Sequence, residues 1–509
     1  MRHALTLSVL IATTTAAAAS PDLSDRHLDL VPRTAEEADR IAAVIPPTDD
    51  FSAPEAFEAN SAGAATVTDW RGGQAFSQPS ATLSSEETLD FAVGNGLFRK
   101  HWVPAPASTK ASDGLGPLFN ARACQQCHLH DGRGHPPEPG DTDRVSMVLK
   151  LSVPAPGDAA LAEIEAYLAA LDGSAPRTRP DPSLGSQLQD RALPGMDIEA
   201  RWDVTYEESP VILSGGETVS LRRPTYHIDG VVSDGLVISP RVAPQMIGLG
   251  LLEAIPAQDI LAHEDPDDRD GDGISGRAQI VWSQEYDAPM LGRFGLKAGM
   301  PTVRAQAAQA LSTDIGISSP LHPDPAGDCT PRQTACRNAP HGDGDARHHE
   351  IDAAGLDLIT FYSRNLAVPA RRAVGDPEVL RGKQVFYETG CPACHVPKFV
   401  THRLSRDTAQ SYQLIWPYTD LLLHDMGEGL ADHRPEGRAS GREWRTPPLW
   451  GIGLTQAVSG HSYFLHDGRA RSLLEAVLWH GGEAEPARTR VVEMPPADRA
   501  ALITYLESL

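Results

Sequence analysis

Two short segments repeat one spacing: Cys124-Gln125-Gln126-Cys127-His128 and Cys391-Pro392-Ala393-Cys394-His395. Two residues between the cysteines let the chain turn so that both sulfurs meet one edge of a planar group, while the next residue offers an imidazole. That is the attachment signature of c-type haem, in which two thiols add to the porphyrin vinyl groups and the histidine binds the iron. Two other chemistries use the same atoms. A C-x-x-C pair can act as a redox dithiol, or both pairs can converge on one zinc ion, which leaves the two histidines unexplained. The two copies favour two covalently bound haem c groups. The remaining cysteines, Cys329 and Cys336, lie in a polar, proline-containing stretch and are expected to form a disulfide.

Each motif needs a helix to present it. Residues 86–102 place Phe91, Val93, Leu97, Phe98 and Trp102 at roughly helical spacing, and residues 377–389 place Val379, Leu380, Val385, Phe386 and Tyr387 on a similar helix closed by Gly390. Gly96-Leu97-Phe98 in the first parallels Gly382 to Phe386 in the second. Leu358-Ile359-Thr360-Phe361-Tyr362 recurs as Leu502-Ile503-Thr504-Tyr505. Matching order implies an internal duplication, with one unit over about 86–369 and another over about 371–509. The expected fold is mainly α: two helical domains at 86–370 and 371–509, the first carrying a long loop-rich insertion at about 152–340. Residues 20–85 form an N-terminal extension.

Composition narrows the partners. Across 509 residues, 44 Lys and Arg stand against 68 Asp and Glu, a net charge of -24. Such a chain repels polyphosphate, so nucleic acid is not an expected partner. Arg2, an apolar stretch from Leu5 to Ala12, and small residues ending Ala17-Ala18-Ala19 have the layout of a secretory signal peptide over 1–19. No later apolar run approaches the ~18–20 residues of a membrane span. The expectation is an exported, periplasmic protein with no transmembrane segment, in a space where cysteine pairs persist.

Beyond the haem motifs, the chain resembles the bacterial di-haem c-type oxidoreductases, often labelled thiol oxidoreductases and distantly similar to di-haem cytochrome c peroxidases. The resemblance is carried by Gly116-Pro117-Leu118-Phe119-Asn120-Ala121-Arg122, Asp131-Gly132-Arg133-Gly134-His135-Pro136-Pro137, Ser239-Pro240-Arg241-Val242-Ala243-Pro244, Leu252-Glu253-Ala254-Ile255-Pro256 and Arg293-Phe294-Gly295-Leu296-Lys297-Ala298-Gly299. It continues through Leu423-His424-Asp425-Met426-Gly427, Arg445-Thr446-Pro447-Pro448-Leu449-Trp450-Gly451 and Phe464-Leu465-His466-Asp467-Gly468-Arg469. It implies two cytochrome c-like domains and a peroxidase-like activity, with electrons passing from a Met/His haem to a second, reactive haem. A redox protein or a small oxidant such as peroxide would be the partner. A non-catalytic di-haem electron-transfer cytochrome and a redox accessory protein of periplasmic metal uptake are the alternatives.

Iron ligation separates electron transfer from chemistry. Met426, in a glycine-containing loop, is the expected sixth ligand of the second haem. His424 competes for that role, and simple packing of the methionine is the other reading. Glu253, in an apolar stretch, is the expected acid-base residue of the first haem with a raised pKa; the alternative is a glutamate facing water. Met147, Met196, His101 and His130 are further distal candidates, although His130 lies too near His128 in sequence to reach the opposite face easily. Asp268, Asp270 and Asp272 with Gly273 and Ile274 match the start of a Ca²⁺ loop, but Gln279 stands where the closing glutamate belongs. The stretch from His341 to His349 reads as either a metal-binding or a solvated loop.

Overall fold

The computed structural model describes residues 22–141, 144–155, 163–172, 178–230, 232–342 and 349–509. The expected signal segment and most of the stretch from His341 to His349 lie outside them. Six helices position the motifs: α1 (Ser85–Arg99), α2 (Val303–Ala310), α3 (Ala353–Arg364), α4 (Pro377–Thr389), α5 (Leu473–Leu478) and α6 (Pro496–Ser508). Their starts are written in the sequence. Ser84 and Glu87 form a reciprocal capping box on α1, Asp352 accepts from the Gly355 N–H on α3, and Asp376 caps α4 ahead of Pro377.

Helix α1 buries Phe91, Gly94 and Phe98 on one face. Val93, expected on that face, is 52% exposed. The glycine marks where α1 crosses α3. A Cβ added at Gly94 would lie 2.3 Å from the Leu358 carbonyl oxygen and 2.8 Å from the Tyr362 Cβ. Helices α4 and α6 cross in the same way, with an added Cβ at Gly382 lying 1.9 Å from the Ala501 carbonyl oxygen and 2.7 Å from the Tyr505 Cβ. Gly94, not Gly96, is therefore the counterpart of Gly382, and Tyr362, not Phe361, is the counterpart of Tyr505. One turn beyond each glycine, Phe98 and Phe386 rest 5.2 and 5.3 Å from these tyrosine rings. They also lie 6.2 and 6.4 Å from the rings of His128 and His395.

The mainly α expectation is corrected. The chain is 31% helix and 17% strand, a mixed fold with several small antiparallel sheets. Strand β1 (Met147–Pro154) pairs with β4 (Val237–Val242), from Met147 opposite Val242 to Ser152 opposite Val237. Strands β2 (Trp202–Ile212) and β3 (Thr218–Ile228) form a ribbon running from Trp202 opposite Ile228 to Ile212 opposite Thr218. Strands β5 (Leu423–Asp425) and β6 (Glu443–Arg445) pair beside the second motif. The ribbon escaped the periodicity reading because much of it faces solvent. Trp202, Val204, Leu221 and Arg222 are its buried residues, so no sustained apolar alternation appears in the sequence.

One apolar cluster joins the parts. Phe76 from the N-terminal extension, Ile247, Leu252, Ile255 and Phe294 from the insertion, and Val396, Phe399, Ile415, Leu422 and Trp450 from the C-terminal part all belong to it. The extension is also held by buried charge. Asp25 pairs with Arg293 at 2.5 Å and with His402 at 2.8 Å, while Glu58 pairs with Arg371 and, at 2.8 Å, with Lys383. Among the described residues no helix is long and apolar enough to cross a membrane.

Candidate functional site

Cys124–Cys127 is a single helical turn leading directly into His128, and Cys391–Ala393 a tight 3₁₀ turn followed by Cys394 and His395. All four thiols are free. Burial pushes Cys124 and Cys391 up to about 12, opposite to the depression that activates a redox dithiol. Nor do the four sulfurs converge: among the described residues, the one cluster of metal-ligating atoms within 4.8 Å of one another is Asp268, Asp270 and Asp272. The zinc reading, which needs all four sulfurs on one ion, therefore fails among the described residues.

The histidines are held alike. His128 Nδ1 lies 2.8 Å from the Pro244 carbonyl oxygen, and His395 Nδ1 lies 3.0 Å from that of Tyr418. A carbonyl only accepts, so Nδ1 carries the hydrogen and Nε2 keeps its lone pair, the tautomer that binds a metal. Burial lowers both pKa values, that of His395 to about 4, so the rings stay neutral.

Both motifs open into one cavity of about 680 Å³. Its wall includes Phe98, Cys124, Cys127 and His128 as well as Phe386, Cys391, Cys394 and His395. It also includes two arginines short of a counter-charge. Burial pulls Arg133 down to about 10 against the opposing effect of Asp467, and that carboxylate is already paired with Arg469 at 2.8 Å. Arg445 falls to about 10 for the same reason, facing an Asp420 that already pairs with His424 at 2.7 Å. Cations left unpaired in an apolar cavity need an anion. The propionates of a haem are such anions, so the donor set and the orphaned charge both fit that cofactor.

The family comparison agrees over most of the sequence, since the model described as "di-haem oxidoreductase, putative peroxidase" matches residues 56–509. The chain belongs to the di-haem oxidoreductase family. No curated protein matches it. Among solved structures, the hydrazine synthase of Kuenenia stuttgartiensis, determined under xenon pressure, is 20% identical over 36% of this chain and 63% of its own, with a TM-score of 0.21. A likeness that low carries no argument.

Within this di-haem oxidoreductase the expected site residues divide. Met426 lines the cavity. His424 lines it too, but its Nε2 lies 2.7 Å from Asp420 and its Nδ1 2.7 Å from Glu483. Burial alone would lower its pKa, yet the Asp420 and Glu483 carboxylates hold the imidazolium well above the usual histidine range. With both nitrogens donating, no lone pair is left for iron. Met147, Met196, His101 and His130 are not part of the cavity wall.

Glu253 departs from its expected role. It is 1% exposed, as the apolar stretch implied, but it is not among the residues that line the cavity. Its carboxylate accepts from the Val303 N–H at 2.8 Å and pairs with Arg364 at 2.5 Å. Burial pushes its pKa up, but Arg364 and His27 more than reverse the effect, and the net shift is downward. Local sequence shows the burial and hides the arginine brought from α3.

The acidic loop brings one carboxylate oxygen each of Asp268, Asp270 and Asp272 within 4.8 Å of the others. Asp268 accepts from the Gly273 N–H at 3.0 Å and Asp272 from the Ile274 N–H at 2.8 Å. Gln279, at the closing position, spends its amide on the carbonyls of Lys297 and Glu436. The disulfide between Cys329 and Cys336 is formed.

Sequence reasoning missed Arg133, Arg445, Lys150 and His480 as cavity residues, and the stack of Trp444 on His466, with centroids 4.0 Å apart and planes 13° apart. His480 had a legible signal. Leu473, Ala476 or Val477, and His480 share one helical face, which puts a histidine on an apolar stripe.

Proposed function

We propose that the chain is an exported, periplasmic di-haem oxidoreductase of the peroxidase type. Two haem c groups are attached through Cys124 with Cys127 and through Cys391 with Cys394, and His128 and His395 are their iron ligands. The observation that carries this reading is the single cavity into which both motifs open. Bound there, the haems supply one-electron redox chemistry, with electrons entering at the His395 site and an oxidant such as peroxide reduced at the His128 site.

The chain's own residues orient, neutralise and deliver protons. The Pro244 and Tyr418 carbonyls fix the two imidazole planes. Arg133 and Arg445 hold propionate charge. Lys150, in β1, lines the cavity, and burial pulls its ammonium below the usual lysine range against the opposing effect of Asp314. Lys150 Nζ is thus the proton donor in place of Glu253.

The test is made on protein purified from the exported fraction. Two haems by mass, a ligand-accessible high-spin signal by EPR, and peroxide consumption with a reduced donor are expected. Two low-spin haems that ignore peroxide would make the protein an electron-transfer cytochrome instead. Fractionation and the mass of the mature N-terminus test export.

A further inference from the structure

We propose that His480, and not Met426, is the second protein ligand of the iron held by His395. The inference rests on the reading that the His395 segment binds haem, and it concerns only which side chain closes that site.

Among the described residues five histidines line the cavity: His128, His395, His424, His466 and His480. Only a ring whose Nδ1 donates to a backbone carbonyl is locked with a lone pair on Nε2. His128 and His395 meet that condition, and so does His480, whose Nδ1 lies 2.8 Å from the Ala476 carbonyl oxygen. His424 fails because carboxylates occupy both its nitrogens. His466 fails because its Nε2 is sealed inside the protein, 3.7 Å from Asp467.

Met426 and His480 stand at the same end of the cavity. Gly481 packs on the Met426 backbone, where an added Cβ would lie 3.0 Å from the Met426 carbonyl oxygen. Their mountings differ. His480 follows α5, which Ser472 caps, which Leu473 and Leu478 anchor in the core, and whose Leu478 carbonyl accepts from Arg488 Nε at 2.7 Å. Met426 precedes the short turn Gly427–Leu430, its N–H donates to the Arg442 carbonyl at 3.1 Å and its side chain packs against the C-terminal core. What sets His480 apart is that its ring is locked as well as its backbone: the Nδ1 bond to Ala476 fixes the imidazole with Nε2 unprotonated. Two imidazoles also give a lower potential than imidazole with a thioether.

The test is optical, EPR and redox titration of the haem-loaded protein and its variants. H480A is expected to convert the second haem from low to high spin, with added imidazole restoring the low-spin signal. H480M is expected to keep the haem, gain a thioether-to-iron charge-transfer band and raise the potential. M426L is expected to leave spin state and potential unchanged. A wild-type low-spin spectrum in H480A, or a wild-type potential in H480M, overturns the assignment. Absence of haem on the Cys391 and Cys394 peptide of the wild-type protein would instead sink the underlying haem reading.

Discussion

Gly382 and Ala501 meet backbone to backbone, close enough that a Cβ on Gly382 would lie 1.9 Å from the Ala501 carbonyl oxygen. Helices α4 and α6 approach only because that side chain is missing, and Phe386 one turn later reaches His395 as a result. Gly382→Ala must push the helices apart. It is expected to cost about 1–3 kcal/mol and to weaken retention of the second haem, read by denaturant titration and haem content. Gly96→Ala, on a helical glycine with open space around it, is the control: it should raise stability by about 1 kcal/mol through helix propensity and leave haem content unchanged.

Removal of the paired thiols tests attachment most directly. Cys391→Ala with Cys394→Ala should leave protein with one covalent haem by mass, and Cys124→Ala with Cys127→Ala should do the same at the other site. Retention of two covalent haems in either variant would refute the assignment.

Arg445→Met removes an unpaired buried cation. Positive charge beside a haem favours its reduced form, so the potential of the nearer haem should fall, on the order of 59 mV for a tenfold change in a one-electron equilibrium. The same substitution relieves the apoprotein of a desolvated charge and removes the bonds Arg445 donates to the Gly295 and Thr446 carbonyls at 3.0 and 2.9 Å; the two offset, and its denaturation midpoint should not drop. A lowered midpoint in the apoprotein would mean that the arginine is structural.

Lys150→Met should slow peroxide turnover without loss of either haem. Because burial lowers the Lys150 pKa, the wild-type rate should decline on the alkaline side as the ammonium loses its proton, and the variant should lack that limb. Equal pH profiles would remove Lys150 from proton delivery.

Asp25 gives the pH dependence of stability. Burial raises its carboxyl, but Arg293, His402 and the Ala257 N–H bring it down to about 2 from the usual 3.8. A group depressed on folding contributes stability above its unfolded pKa and loses it as pH falls through the folded one, here between about 4 and 2. The contribution is about 2 kcal/mol. Asp25→Asn should therefore be less stable than wild type near neutrality, and the gap should close toward pH 2, measured by denaturant midpoints.

The cysteine and histidine identities and the two helices ahead of the motifs were legible in the sequence, because covalent spacing and helical period act over a few residues. Register was less so: Gly94 and Tyr362 emerge as counterparts of Gly382 and Tyr505 only where the helices cross, since a crossing point depends on both partners. Glu253 shows the limit most clearly. Its apolar neighbours announce burial, but the sign of its pKa shift belongs to Arg364, far away in the chain. The same holds for His424, whose two ring nitrogens both donate to the Asp420 and Glu483 carboxylates, and for the β2–β3 ribbon, which is held by pairing rather than by an apolar stripe. By itself the sequence determined which atoms can hold haem. Tertiary structure decided that the two motifs share one cavity, which cations there lack a counter-charge, and which of its histidines keep Nε2 unprotonated, because burial and charge balance are set by residues that meet only in space.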